Sequence, residues 1–448
     1  MNWRSGLVIM AISVGLAALI SQNSVTSEVR NSVSPSNFVL VDPRPRMDDW
    51  PWWRGADGRN IASSNKFPLQ WSASDHQGWQ ITLSGLGSAA PSLWGNRLFL
   101  PIYDPETQRM YLECVSRQNG AITWKTMIHD RDPKGVRDQN RLHLATPICD
   151  GQSIFAVAHF RDRIWVTAVD LSGRILWQRP AGPYPSLTGS VSSPALFKSL
   201  VIVSADQASE SYIAALHRQT GELIWRTKRP KGESLGTPIV ANIASRPQLV
   251  VGGPQAVISY DPATGEPIWT CRISATRVFS SVTFDSEHVF AITSQPNAEV
   301  ICIAADGQGD VSTSHVVWRD DRIAGEIPSP VCHQGLLYVL AEDGRLACVQ
   351  AGTGKLEWIK QLTGSFSASP VIVGDFVFCA SESGETYFVR TGTSNPVIIK
   401  NTLNEGIVAT PIFAGDSIFI RTLHQMHRIV APNAEPVVER SIDMKRRF

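Results

Sequence analysis

A short phrase recurs along the 448-residue chain: Ala or Ser, then Ser or Thr, then Pro, followed about thirty residues later by Trp. Copies run from Ala90-Pro91 to Trp124, Thr146-Pro147 to Trp177, Ser193-Pro194 to Trp225, Thr237-Pro238 to Trp269 and Ser329-Pro330 to Trp358. Two more begin at Ser369-Pro370 and Thr410-Pro411, and a degenerate copy runs from Ser280-Ser281 to Trp318. The starts are spaced by 56, 47, 44, 43, 49, 40 and 41 residues. A period of this length marks a repeat architecture, in which each unit buries its apolar faces only against its neighbours.

One repeat shows what the unit is. In residues 330 to 358 a short strand opens at Pro330, and a β-rich strand follows over Leu336 to Leu340. Glu342-Asp343-Gly344 is a hairpin turn, because Asp-Gly accepts the positive φ such a turn requires. A third strand runs from Arg345 to Val349, Gly352-Thr353-Gly354 turns again, and a fourth strand begins near Trp358. Four short antiparallel strands per period make a propeller blade. Proline donates nothing to a ladder and belongs at the start of an edge strand, so it marks the innermost strand facing the channel. The Trp residues at positions 79, 124, 177, 225, 269, 318 and 358 then open the outermost strands and supply large apolar faces to pack between sheets.

The spacer from Trp to the next start fixes the register. It is 12 residues from Trp269 to Ser281, from Trp318 to Pro330 and from Trp358 to Pro370. Trp79 also precedes Pro91 by 12, so Trp79 to Leu83 is a fourth strand with no first three before it. Pro411 to Ile429 supplies three strands with no fourth. The sequence therefore predicts an all-β, eight-bladed β-propeller of four-stranded blades, its ring closed by the N-terminal strand near Trp79, which removes the open edges. In the seventh blade the Trp position falls on Ile399.

Net charge is +1, so no global field draws the chain to nucleic acid or anionic lipid. Arg4 precedes an apolar run from Gly6 to Ile20. Fifteen residues is the length of a signal-peptide core and short for a spanning helix; cleavage and retention as an inner-membrane anchor or tether both remain open. Export to a periplasmic space is expected either way. The expected organisation is signal or anchor over 1–23, linker over 24–49, propeller over 50–430 and tail over 431–448. Seven Cys leave at least one unpaired, none spaced Cys-x-x-Cys, and most lie in apolar strand patterns as small buried hydrophobes.

The phrase Ser259-Tyr260-Asp261-Pro262-Ala263-Thr264-Gly265-Glu266-Pro267-Ile268-Trp269 resembles the tryptophan-docking repeat of pyrroloquinoline-quinone (PQQ) repeat propellers. Weaker copies run from Ala215 to Trp225, Cys348 to Trp358 and Ala168 to Trp177. The opening Trp50-Pro51-Trp52-Trp53-Arg54-Gly55, with Gly58, Phe67-Pro68 and Trp71-Ser72, is similar to that of exported PQQ-like propellers of planctomycete-type bacteria. The superfamily includes quinoprotein dehydrogenases and the outer-membrane assembly lipoprotein. The resemblance covers roughly residues 50 to 430 and implies the fold more than any activity.

A quinoprotein dehydrogenase clamps PQQ between a Trp and two adjacent disulfide-bonded Cys. No two Cys are adjacent here, no catalytic residue is transferable, and no metal set is indicated. His424-x-x-His427 lies in a strand pattern, where residues three apart face opposite ways. Trp225 to Pro238 is 13, and two connections are clearly enlarged: Trp124 to Pro147 is 23 and Trp177 to Pro194 is 17. Both leave neighbouring blades on one face, and loops on rigid scaffolds carry function. Arg137, Asp138, Asn140, Arg141, His143 and Tyr184, with Asp206 and Gln207 at the channel mouth, are the candidate binding residues. The reading is an exported, non-enzymatic, monomeric scaffold for a protein, peptide or glycan. The alternatives are a PQQ- or metal-dependent oxidoreductase and an outer-membrane protein assembly factor.

Overall fold

The strands of the computed structural model fall into eight four-stranded antiparallel meanders arranged as a ring. It describes residues 45–72, 74–131, 144–186, 189–392 and 394–431, and the backbone of 27–30. Blade 1 comprises Ser92–Trp94, Arg97–Asp104, Arg109–Ser116 and Ile122–His129. Blade 2 begins at Ile148–Cys149, blade 3 at Ala195–Phe197, blade 4 at Ile239–Ile243, blade 5 at Thr283–Phe284, blade 6 at Val331–His333 and blade 7 at Val371–Val373. Blade 8 has three C-terminal strands, Ile412–Ala414, Ser417–Arg421 and Gln425–Val430, and takes its fourth, Gln77–Thr82, from the N-terminal side. Trp79 pairs with Arg428 in that closing ladder. The ring is the predicted eight-bladed propeller, closed where the orphan strand required.

The outer-strand tryptophans hold successive blades together. Their indole N–H groups donate to backbone carbonyls of the next blade: Trp79 to Arg117, Trp124 to Leu171, Trp177 to Arg218 and Trp318 to Ala351, at 2.8–3.1 Å. Each indole lies flat against a glycine in that blade's last hairpin: Gly120, Gly173, Gly221 and Gly354. Trp225 meets Gly265 the same way. Trp269 is different and donates within its own blade to Gln248 Oε1. Ile399 pairs with Phe388 in the position where the tryptophans stand. The blade it faces has no third-to-fourth hairpin, because its fourth strand comes from the N-terminal side. An indole there would have no glycine turn to dock on. The gap is filled instead by residues 62–72: Phe67 packs edge-on to Phe413, and Asn401 accepts the N–H of Trp71.

The Ser or Thr ahead of each proline has its own role. The backbone N–H of Thr146 donates to Ser193 Oγ, Ser193 to Thr237 Oγ1, Thr237 to Ser281 Oγ, Ser281 to Ser329 Oγ, Ser329 to Ser369 Oγ and Ser369 to Thr410 Oγ1. These six buried bonds form a belt that joins blades 2 to 8 in turn. It also corrects the register of the degenerate repeat. Ser281 holds the hydroxyl position and Val282 the proline's, one residue later than the 12-residue spacer suggested. Burying an unpaired backbone N–H costs about 1–3 kcal/mol. Ser281→Ala should therefore lower stability by about that amount in urea unfolding, whereas Ser281→Thr should retain most of it.

Blade 1 carries Ala90 in this position, so no hydroxyl closes the belt between blades 8 and 1. Two buried arginines stitch that seam. Arg421 donates to the carbonyls of Ala89 and Pro101, and Arg117 donates to that of Ala414. Burial lowers the Arg421 guanidinium to about 10, opposed by Glu113.

Candidate functional site

Strand alternation gives the ring two distinct faces. Turns between strands 1 and 2, and between strands 3 and 4, lie on one face. The strand 2–3 hairpins and the blade-to-blade connections lie on the other.

The turn face is crossed by the aperiodic segment before the first blade. Trp50 exchanges backbone bonds with Leu93 of blade 1, and Pro51 accepts the Cys149 N–H of blade 2. Arg54 Nη2 donates to the Pro330 carbonyl at 2.7 Å and to Thr283 Oγ1 at 3.4 Å. Asn60 Nδ2 donates to Pro370, and the Asn60 and Ala62 backbones pair with Ile372 of blade 7. Just upstream, Asp49 accepts the Gly95 N–H and Asp48 pairs with Arg117. Residues 48–62 thus form a plug bonded to inner strands of blades 1, 2, 5, 6 and 7. Opposite blades 2, 3 and 4 it leaves a cavity of about 180 Å³, lined by Trp52, Trp53, Arg54, Leu196, Thr237 and Val240 among others.

The connection face carries three of the residues singled out from the sequence, Tyr184, Asp206 and Gln207. Arg137, Asp138, Asn140, Arg141 and His143 lie outside the described residues. The enlarged loop is anchored at its start by Asp130, which pairs with Arg109, and by His129, stacked on Phe160 at 4.5 Å. Tyr184, Asp206 and Gln207 are only 3–5% exposed, so the ring has absorbed them. Tyr184 donates to the Ser190 carbonyl, and burial together with Asp206 pushes its phenol up. Gln207 is bonded to Ser211 and Glu210. Asp206 takes a bidentate fork from Arg229 at 2.8 and 3.0 Å, and Arg229 also donates to Tyr260 of blade 4 at 2.9 Å. Burial raises the Asp206 carboxyl, and Arg229 opposes it. Burial likewise works against the Arg229 charge, but Asp206 and Tyr260 outweigh it and hold the guanidinium above its usual range.

On the same face a groove of about 450 Å³ lies where blades 7 and 8 meet, lined by Gln80, Glu405, His424, Gln425 and His427. Glu405 caps the hairpin by accepting from Thr422 and from the His424 N–H. Burial lowers the His427 imidazole below 6.5, with Glu405 opposing. Among the described residues no cluster of His, Cys, Asp and Glu has metal-binding geometry. All seven cysteines are free and buried. Burial raises their thiols, Cys114 to about 11 and Cys348 to about 12, the opposite of an activated thiolate.

Arg54 and Asn60 had no place among the candidate residues. The signal was present: the Trp50-Pro51-Trp52-Trp53-Arg54-Gly55 cluster falls outside the repeat register, so its tryptophans cannot serve blade docking.

Comparison with known proteins bears on what such a ring does. A family model described as outer membrane protein assembly factor BamB matches residues 209–435. A BamB from Burkholderia pseudomallei is 23% identical over 323 residues, 69% of this chain and 77% of that protein. One from Moranella endobia is 22% identical over 251 residues, 54% of this chain and 62% of that one. Among solved structures, BamB from Moraxella catarrhalis superposes with a TM-score of 0.59 at 13% identity, over 79% of this chain and 99% of that one. The quinohemoprotein alcohol dehydrogenase of Comamonas testosteroni gives 0.58 at 12% identity, over 86% and 81%. At such identities the superpositions speak for the fold alone.

Proposed function

The chain belongs to the family of the outer membrane protein assembly factor BamB, and from that premise we propose that it is an exported, non-catalytic propeller that binds proteins during outer-membrane protein assembly. The family match over half of the ring carries this reading. The geometry supports it. The turn face is occupied by the chain's own plug, which leaves the connection face and the rim for a partner. The loops around Arg137, Asp138, Asn140, Arg141 and His143 are the proposed contact region. The apolar run Gly6 to Ile20 supplies the export signal in this reading.

The PQQ-dependent alternative fits the residues poorly. No two cysteines are adjacent, and the thiols sit buried in separate strands. Small-molecule pockets typically enclose about 300–1,000 Å³, and the channel cavity beneath the plug is about 180 Å³.

The test is made in the native bacterium. Deleting the gene should lower the amount of folded outer-membrane β-barrel protein, and the tagged full-length chain should cross-link to a barrel-assembly component in intact envelopes. Replacing Arg137, Arg141 and His143 together with Ala should weaken that cross-link while leaving thermal unfolding unchanged. Unchanged barrel levels with no such cross-link would overturn the proposal, as would alcohol oxidation by the purified protein with added PQQ and calcium.

A further inference from the structure

Arg54 is 1% exposed and sits against the inner strands of blades 5 and 6. Its Nη2 group is bonded to the Pro330 carbonyl and to Thr283 Oγ1, both neutral. Its Nε and Nη1 groups have no protein acceptor among the described residues. Asp57 is the carboxylate nearest in effect, yet it is exposed and spends both oxygens on Arg59: Oδ2 takes the guanidinium at 2.7 and 2.8 Å and Oδ1 the backbone N–H at 3.0 Å. Burial lowers the Arg54 guanidinium to about 10, with Asp57 opposing, so it stays charged at neutral pH. The channel therefore holds a buried positive charge with two unspent donor nitrogens, three N–H bonds in all, and no dedicated counter-charge. Such a charge is strongly unfavourable unless something compensates it.

Arg54 also lines the cavity beneath the plug. At about 180 Å³ it far exceeds the roughly 10–15 Å³ that one water needs. Much of the wall is apolar, from Trp52, Trp53, Ile148 and Pro194. Thr237 lines it too; its oxygen accepts the Ser193 N–H, which leaves its own hydroxyl proton to donate inward. Ala56 and Asp57 at the plug's tip are exposed and give a way in.

We propose that this cavity is an anion site: a compact inorganic anion, between chloride and phosphate in size, binds against Arg54 Nε and Nη1 and neutralises the plug. The bound ion would lock residues 48–62 onto the inner strands. The site is built by the plug and the inner strands and shares no residue with the proposed protein-binding loops, so either reading can fail without the other.

The test is thermal unfolding of the intact protein at constant ionic strength, with chloride, bromide or phosphate replacing the bulkier gluconate. The small anions should raise the midpoint by about 2–4 °C, and Arg54→Met should abolish the anion dependence. A crystal of the wild-type protein grown in bromide should show an anomalous peak beside Arg54 Nε or Nη1. Equal midpoints in all salts, retention of the shift in Arg54→Met, or a bromide crystal with no peak at Arg54 would overturn the proposal and leave water as the occupant. Should Arg54→Met fail to fold, the bromide crystal decides alone.

Discussion

Replacing Arg229 with Met is expected to destabilise the propeller by about 3–5 kcal/mol, because it strands a buried carboxylate. Asp206 and Arg229 are 3% and 5% exposed, and the fork between them closes the end of blade 3. The same guanidinium reaches Tyr260 in blade 4, so its loss also removes a bond between blades. Gly253 makes the arrangement possible: a Cβ there would lie 2.3 Å from Arg229 Nη2 and 2.8 Å from an Asp206 oxygen. The double variant Arg229→Met, Asp206→Leu should recover most of the loss, since apolar residues of similar volume can replace a buried pair at little cost. Equilibrium unfolding in urea of the two single variants and the double gives the coupling directly. Near-additive single effects would show that the pair is not the source of the stability.

Gly265→Ala is expected to cost about 2–5 kcal/mol, combining two effects that a control separates. The added Cβ would stand 2.4 Å from Trp225 Cε3, so the docked indole or the hairpin must move. Overpacking of that kind costs about 1–3 kcal/mol. The residue also has φ +73, a left-handed conformation that costs a non-glycine about 1–2 kcal/mol. Gly392 has φ +70 with nothing within 4 Å of a built Cβ. Gly392→Ala should show the backbone share alone, and the difference between the two variants in thermal or urea unfolding measures the docking contact. Equal losses would mean that the indole accommodates the methyl group freely.

The ring was legible because every blade solves the same packing problem. Ser or Thr recurs where a hydroxyl must accept the preceding blade's N–H, Pro recurs where an inner strand begins, and Trp recurs on the outer strand, at five positions against a glycine hairpin of the next blade. Even the exceptions obey this logic. Ile399 replaces Trp where no hairpin receives it, and Ala90 replaces Ser where Arg421 and Arg117 make the seam. The plug was not legible, because its partners lie far along the chain: 229 and 276 residues from Arg54, and 310 from Asn60. No local period announces contacts of that separation. Asp206 illustrates a different gap. Asp-Gln after an apolar strand reads as an exposed turn, and only the fold brings Arg229, 23 residues on, against the carboxylate. The seam, by contrast, was located by arithmetic alone, from a strand lacking three partners and a blade lacking one.

The closing ladder joins residues about 350 apart, such as Trp79 and Arg428. At roughly 5–20 residues per second, that length of chain takes about 20–70 s to synthesise. For this interval the strand Gln77–Thr82 and its exposed edge wait without a partner, while blades 1 to 7 become available one after another. Ring closure is thus the last step open to the nascent chain, and it depends on a hydrophobic edge remaining unpaired until the last blade arrives. The vulnerable species is a nearly complete, open ring, and any block to release of the final blade prolongs its lifetime.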